Sequence, residues 1–183
     1  MEINSLDTFL DYFGKVHQRT MRVVRCIPRD KVDWTFRPGK FTLGDLARHI
    51  ATANRYIFAE SVQGKPSRYA GCGRELAASY DEIIVLMEKL HGEAMEIISR
   101  LADLNTECKT PDGTPIMTWK WLRAMVEHEV HHRGQIYIYL ALLEVPSPPL
   151  YGLTSEQVAA FSARSQQSTS LRECAGDAVR APR

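Results

Sequence analysis

Residues 128–135 read His-Glu-Val-His-His-Arg-Gly-Gln, and three of the chain's six histidines fall within five of these positions. On a helix His128 and His132, four apart, lie about 40° from each other in projection and share one face. Two imidazoles so placed can reach one cation at metal–nitrogen distances of about 2.0–2.1 Å. His131 points about 80° from the midpoint of that pair and is the weaker candidate. The bland alternative is a row of surface histidines, and i, i+4 pairs do arise by chance. Histidine's middling helix propensity gives no reason for the cluster.

The same residues satisfy H-E-x-x-H, the zinc-protease pattern in which the glutamate is the general base. The extended form fails, because Gln135 stands where a glycine is needed and Ile138 where a third histidine is needed. Glu144 is three turns along the same helix and cannot fold back, which leaves Glu156 as the protease reading's third ligand.

His49 offers a different third ligand. It lies beside Leu46, Ile50 and Ala53 at the margin of an apolar stripe. Alone it would read as a core histidine, but a helical bundle brings faces together at one depth. His17 and His91 sit among apolar neighbours and read as core histidines. Glu129, Asp45 and Gln135 are candidates to orient the ligating rings. Tyr139 could offer a hydroxyl, while Trp119 and Trp121 read as packing anchors. Cys72, between Gly71 and Gly73, is the most exposed thiol and has no activating base in view. Lys65, Arg68 and Arg74 around it could receive an acidic molecule or form an ordinary solvated loop.

Four helical segments must position these groups. The first spans about Ser5 to Ile27, with Pro28 as its stop. The second begins at Thr42, where Asp45 completes a capping-box pattern, and runs to about Gln63. The third covers roughly Leu76 to Leu104 and has the cleanest 3.6-residue period. Thr118 can cap the fourth, which ends near Glu144 ahead of Pro146. Residues 28–40 and 64–73 are loops, and Thr110-Pro111-Asp112-Gly113 is suited to a reversal. No segment alternates like a strand. The expected fold is all-α, a four-helix bundle with one long crossover or an unusual up-down order. A domain over residues 1–153 is followed by 154–183, read as a short helix and then a disordered tail from Ser165.

Composition narrows the class of function. The chain carries 23 basic and 22 acidic residues, for a net charge of +1, with 44% hydrophobic and 25% charged residues. No concentrated basic surface is implied, so no nucleic-acid partner is expected. The four cysteines form no C-x-x-C pair. With no apolar span and no leader-like N-terminus, the expectation is a cytoplasmic protein with reduced thiols and no membrane partner.

Trp34 and Pro38, the Leu46-Ala47-Arg48-His49-Ile50 run, and the HEVHHRGQ stretch together resemble the DinB/YfiT-like family of metal-dependent four-helix proteins. The resemblance covers about residues 5–153, including Pro148-Pro149-Leu150-Tyr151-Gly152-Leu153. It implies that His49, His128 and His132 hold one divalent ion, zinc or nickel, with His131 only a neighbour. It further implies an enzyme that activates a thiol or water, like a thiol-dependent transferase or a hydrolase, and a homodimer. The alternative is a non-catalytic, structural or stress-associated metal-binding dimer.

Overall fold

The computed structural model of the chain describes residue 3 and residues 5–164. Its helices begin where side chains satisfy free amides. Ser5 caps α1 (Leu6–Val24), its hydroxyl accepting from the Thr8 amide at 3.3 Å. Thr42 and Asp45 form a reciprocal capping box before α2 (Leu43–Ala53), with bonds of 2.9 and 3.0 Å. The helix then widens into a π turn, Asn54–Phe58, and closes with a last turn, Ala59–Ser61. A second capping box, Ser79 with Glu82, opens α3 (Tyr80–Ser99), four residues later than the apolar pattern suggests. Its final turn stops at Ser99, short of Leu104.

The fourth helix, α4 (Thr118–Leu142), is not capped by Thr118. Met117 holds the cap position without a side-chain bond, and the Thr118 hydroxyl lies 3.4 Å from that of Thr106. The chain enters α4 from a short antiparallel hairpin, β1 (Glu107–Lys109) and β2 (Pro115–Met117), with Cys108 opposite Ile116. Three-residue strands are too short to show alternation in sequence. The reversal at Thr110–Gly113 is present, with Gly113 at φ 87°, a left-handed conformation that glycine adopts without strain.

Two apolar clusters fix the direction of each helix. Along α1 the core residues pass from Phe9 and Phe13 in one cluster to Val23 and Val24 in the other. Along α4 they pass the same way, from Leu122 and Met125 to Ile136 and Leu140. Leu43 to Phe58, and Ile83 to Ile98, run in the opposite sense. The order is therefore up-down-down-up. Parallel α2 and α3 need the long crossover of residues 62–79.

Arg48 fastens that crossover. Its side chain is fully buried on α2, and its guanidinium donates to the Cys72 and Ala77 carbonyls at 2.7 and 2.8 Å and to Asp45 at 2.6 Å. Thr52 adds a 3.2 Å bond to the Gly71 carbonyl. Buried Glu60 accepts from both Arg55 and Arg68. Arg74 pairs with Asp33 and Lys65 with Gln63. The cations around Cys72 are thus engaged within the protein.

The described residues beyond Ser147 form a second compact unit, beginning at Pro148. Within it, residues 155–164 are helical, and Thr154 and Gln157 exchange bonds at its start. The tail expected from Ser165 lies outside the described residues. No described helix is long and apolar enough to cross a membrane.

Candidate metal centre

α2 and α4 cross antiparallel, and this brings the distant histidines together. Tyr139 donates to the Phe41 carbonyl at 3.1 Å, His49 meets His128 and His132, and Phe58 packs on Trp121. Six residues precede His49 in α2 and ten follow His132 in α4, so the histidines meet partway along each helix.

One ring nitrogen from each of His49, His128 and His132 lies within 4.8 Å of the other two. Nε2 of His49 and Nε2 of His128 are 3.0 Å apart. Two nitrogens at about 2.05 Å from one tetrahedral ion would be about 3.3 Å apart, so the spacing suits a shared ion. All three rings are half-buried, and exposed Phe41 packs 5.4 Å from His49, so the group stands near the surface.

The outer nitrogens of two rings are engaged. Nδ1 of His49 is 2.7 Å from the Tyr69 hydroxyl, and Nδ1 of His132 is 2.7 Å from Oε1 of Gln135. Gln135 thus does what its place in the motif suggested. Tyr69 was not foreseen, because it reaches the site from the crossover, 20 residues after His49 in sequence. Asp45 is occupied by Thr42 and Arg48 instead. His131 is exposed and contacts Gln135.

Electrostatics keep these rings neutral. Burial, helped by the nearby charge of His132, lowers the His49 pKa to about 4. Burial and the charges of His132 and His49 take His128 to about 3, with Glu129 opposing. Burial also lowers His132, partly offset by its bond to Gln135. At neutral pH each ring has a lone pair available, which is the form that binds metal.

Glu129 does not serve these histidines as a protease base would. It is fully buried on the core side, its Oε2 accepting from Nδ2 of Asn54 at 2.8 Å. Its Oε1 faces Nδ1 of His17 at 3.6 Å. Burial would raise its pKa, but His17, Thr20 and the charge of His91 hold it below the ordinary value. His17 is buried, as expected of a core histidine, whereas His91 is only half-buried; the two rings stack with centres 3.7 Å apart. Cys72 is half-buried and burial raises its pKa, so it is no ready nucleophile.

Solved structures share this fold. A DinB-like protein from Bacillus cereus superposes with a TM-score of 0.65 at 22% identity, covering 78% of this chain and 95% of its own. A DinB-like protein from Bacillus subtilis gives 0.65 at 20% identity, over 79% and 97%. YfiT from Bacillus subtilis, described as a probable metal-dependent hydrolase with an unusual four-helix bundle topology, gives 0.60 at 20% identity, over 77% and 89%. No curated protein matches the chain. The DinB family model matches residues 1–169, nearly the whole sequence and both helices that carry the histidines, and the chain belongs to the DinB family.

Proposed function

We propose that this protein is a metal-dependent enzyme in which His49, His128 and His132 hold one divalent ion, zinc or nickel. The observation that carries the reading is the convergence of three neutral imidazoles from two helices. In this reading Tyr69 accepts the Nδ1 proton of His49 and Gln135 accepts that of His132, so both rings present Nε2 to the ion. The cluster gathers three donors among the described residues, and three protein ligands plus an open position is the arrangement of catalytic rather than structural zinc. An ion so held acts as a Lewis acid and lowers the pKa of a water or thiol that it binds. The half-exposed rings leave a substrate room to approach, and Phe41 beside His49 gives it an apolar surface to rest on. YfiT's description as a probable metal-dependent hydrolase supports the water reading. A thiol co-substrate is the other nucleophile of this same mechanism.

The deciding experiment is metal content per chain for the wild type and His49→Ala, purified side by side. About one zinc or nickel in the wild type and little in the variant is expected. A wild type that takes up no metal on reconstitution, or a variant that keeps it fully, overturns the assignment. Hydrolase and thiol-transfer assays on the loaded protein then separate the two chemistries.

Tyr69→Phe removes only the acceptor for His49 and should weaken zinc affinity about 10- to 100-fold without unfolding the chain. Competition with a chelator of known affinity measures it. An unchanged affinity would mean that Tyr69 merely packs against the ring.

A further inference from the structure

Behind the three histidines lies a polar node to which every bundle helix contributes: buried His17 from α1, buried Asn54 from the π turn, half-buried His91 from α3 and buried Glu129 from α4. Oδ1 of Asn54, Nδ1 of His91 and Nε2 of His17 are buried without a hydrogen-bond partner, and Oε1 of Glu129 meets Nδ1 of His17 only at 3.6 Å. Such atoms are rare in folded proteins. The node is no second metal site. Its two imidazoles are stacked 3° from parallel, so their in-plane lone pairs cannot meet at one ion.

The node's one short bond, Asn54 to Glu129 at 2.8 Å, joins the two helices that carry the candidate ligands. Glu129 is the residue after His128. Asn54 opens the π turn whose last residue, Phe58, packs against the His128 ring at 5.5 Å. A π turn widens a helix locally and is found chiefly at functional sites. Here its first and last residues both meet α4 beside His128.

We infer that Asn54 and Glu129 are positioning residues for the metal centre: their buried bond holds the π turn of α2 against α4, and so sets the separation of His49 from His128 and His132. This rests on the metal-binding reading above. The carboxylate acts as a fixed acceptor on the core side and touches neither ion nor substrate.

Zinc and cobalt(II) binding to the full chain test it, with stability measured separately by urea unfolding. Glu129→Gln keeps an acceptor for Asn54 and should retain zinc affinity within about threefold. Glu129→Met is similar in size but cannot accept, and should lose about 10- to 100-fold, the range expected for removing an outer-shell partner. Its cobalt absorption spectrum should shift as the three rings change geometry. If Glu129→Met does not fold, Asn54→Ala breaks the same bond from the other side and carries the same expectation. Wild-type affinity and an unchanged cobalt spectrum in a folded bond-breaking variant overturn the inference. So does an equal loss in Glu129→Gln, which would assign the effect to charge. A wild type that binds no zinc refutes the proposed function itself, a result distinct from either.

Discussion

Replacing Arg48 by methionine should destabilise the bundle by about 3–5 kcal/mol, the range for removing one partner of a buried ionic group. The methionine fills much of the arginine's volume, so cavity formation is a small part of the effect. The larger part is polar. The Ala77 and Cys72 carbonyls lose their donors, and Asp45 loses its cation. Gly44 shows how tightly this corner is built: a Cβ there would lie 2.7 Å from Cγ1 of Val32 and 3.0 Å from the Arg48 guanidinium. Because Arg48 ties the crossover to α2, and the crossover delivers Tyr69 to His49, zinc affinity should fall along with stability. Urea unfolding of the metal-free protein isolates the first effect through the midpoint at constant slope. Arg48→Lys provides one charged donor in place of the planar fork and should recover only part of the loss. A methionine variant within about 1 kcal/mol of wild type would show that the crossover holds itself.

The helices and the histidines were legible for the same reason: both depend on short-range spacing. His128 and His132 share a face by helical geometry, and Thr42 with Asp45 marks a helix start before any packing is known. Ser79 and Glu82 carry the same local signal, but the apolar Leu76 and Ala77 ahead of them extend the helical pattern and hide it. What the sequence could not show depends on tertiary contacts. The π turn at Asn54–Phe58 has no local signature. Tyr69 reaches His49 only because Arg48 and Thr52 fix the path of a loop. Glu129 satisfies H-E-x-x-H in letters, yet one helical step of about 100° from His128 turns it into the core, where Asn54 takes its carboxylate. The motif specifies positions along a helix, and the bundle decides which of them face the candidate metal centre.

Zinc affinity should fall by no more than about tenfold per pH unit between pH 7 and pH 5, where most histidine sites lose their metal. An imidazole with an ordinary pKa near 6.5 must give up a proton to bind, so each such ligand costs up to tenfold in affinity per pH unit below that value. Three ordinary ligands would lose about 1000-fold between pH 6 and pH 5. Here His49 and His128 have pKa values of about 4 and about 3, so both are already neutral across that range. His132, also lowered, adds at most tenfold per unit. The same shifts act on folding in the opposite direction. The unfolded chain regains ordinary imidazoles, so unfolding takes up protons between pH 6.5 and the folded pKa values. The contribution of His49, His91 and His128 to stability is therefore full above about pH 6.5. It is lost as pH falls toward 4 for His49 and His91, and toward 3 for His128. Each contributes a slope of up to about 1.4 kcal/mol per pH unit, reduced by solvent screening of these partly exposed rings. Two titrations at pH 7, 6 and 5 test the pair of effects: urea unfolding of the metal-free chain, and zinc competition on the folded chain. Falling stability with an affinity loss of at most about tenfold per unit is expected, because burial already holds two of the three ligands neutral. An affinity that drops about 1000-fold per unit would mean that the rings are protonated like free imidazole and that the site is assembled only when the ion arrives.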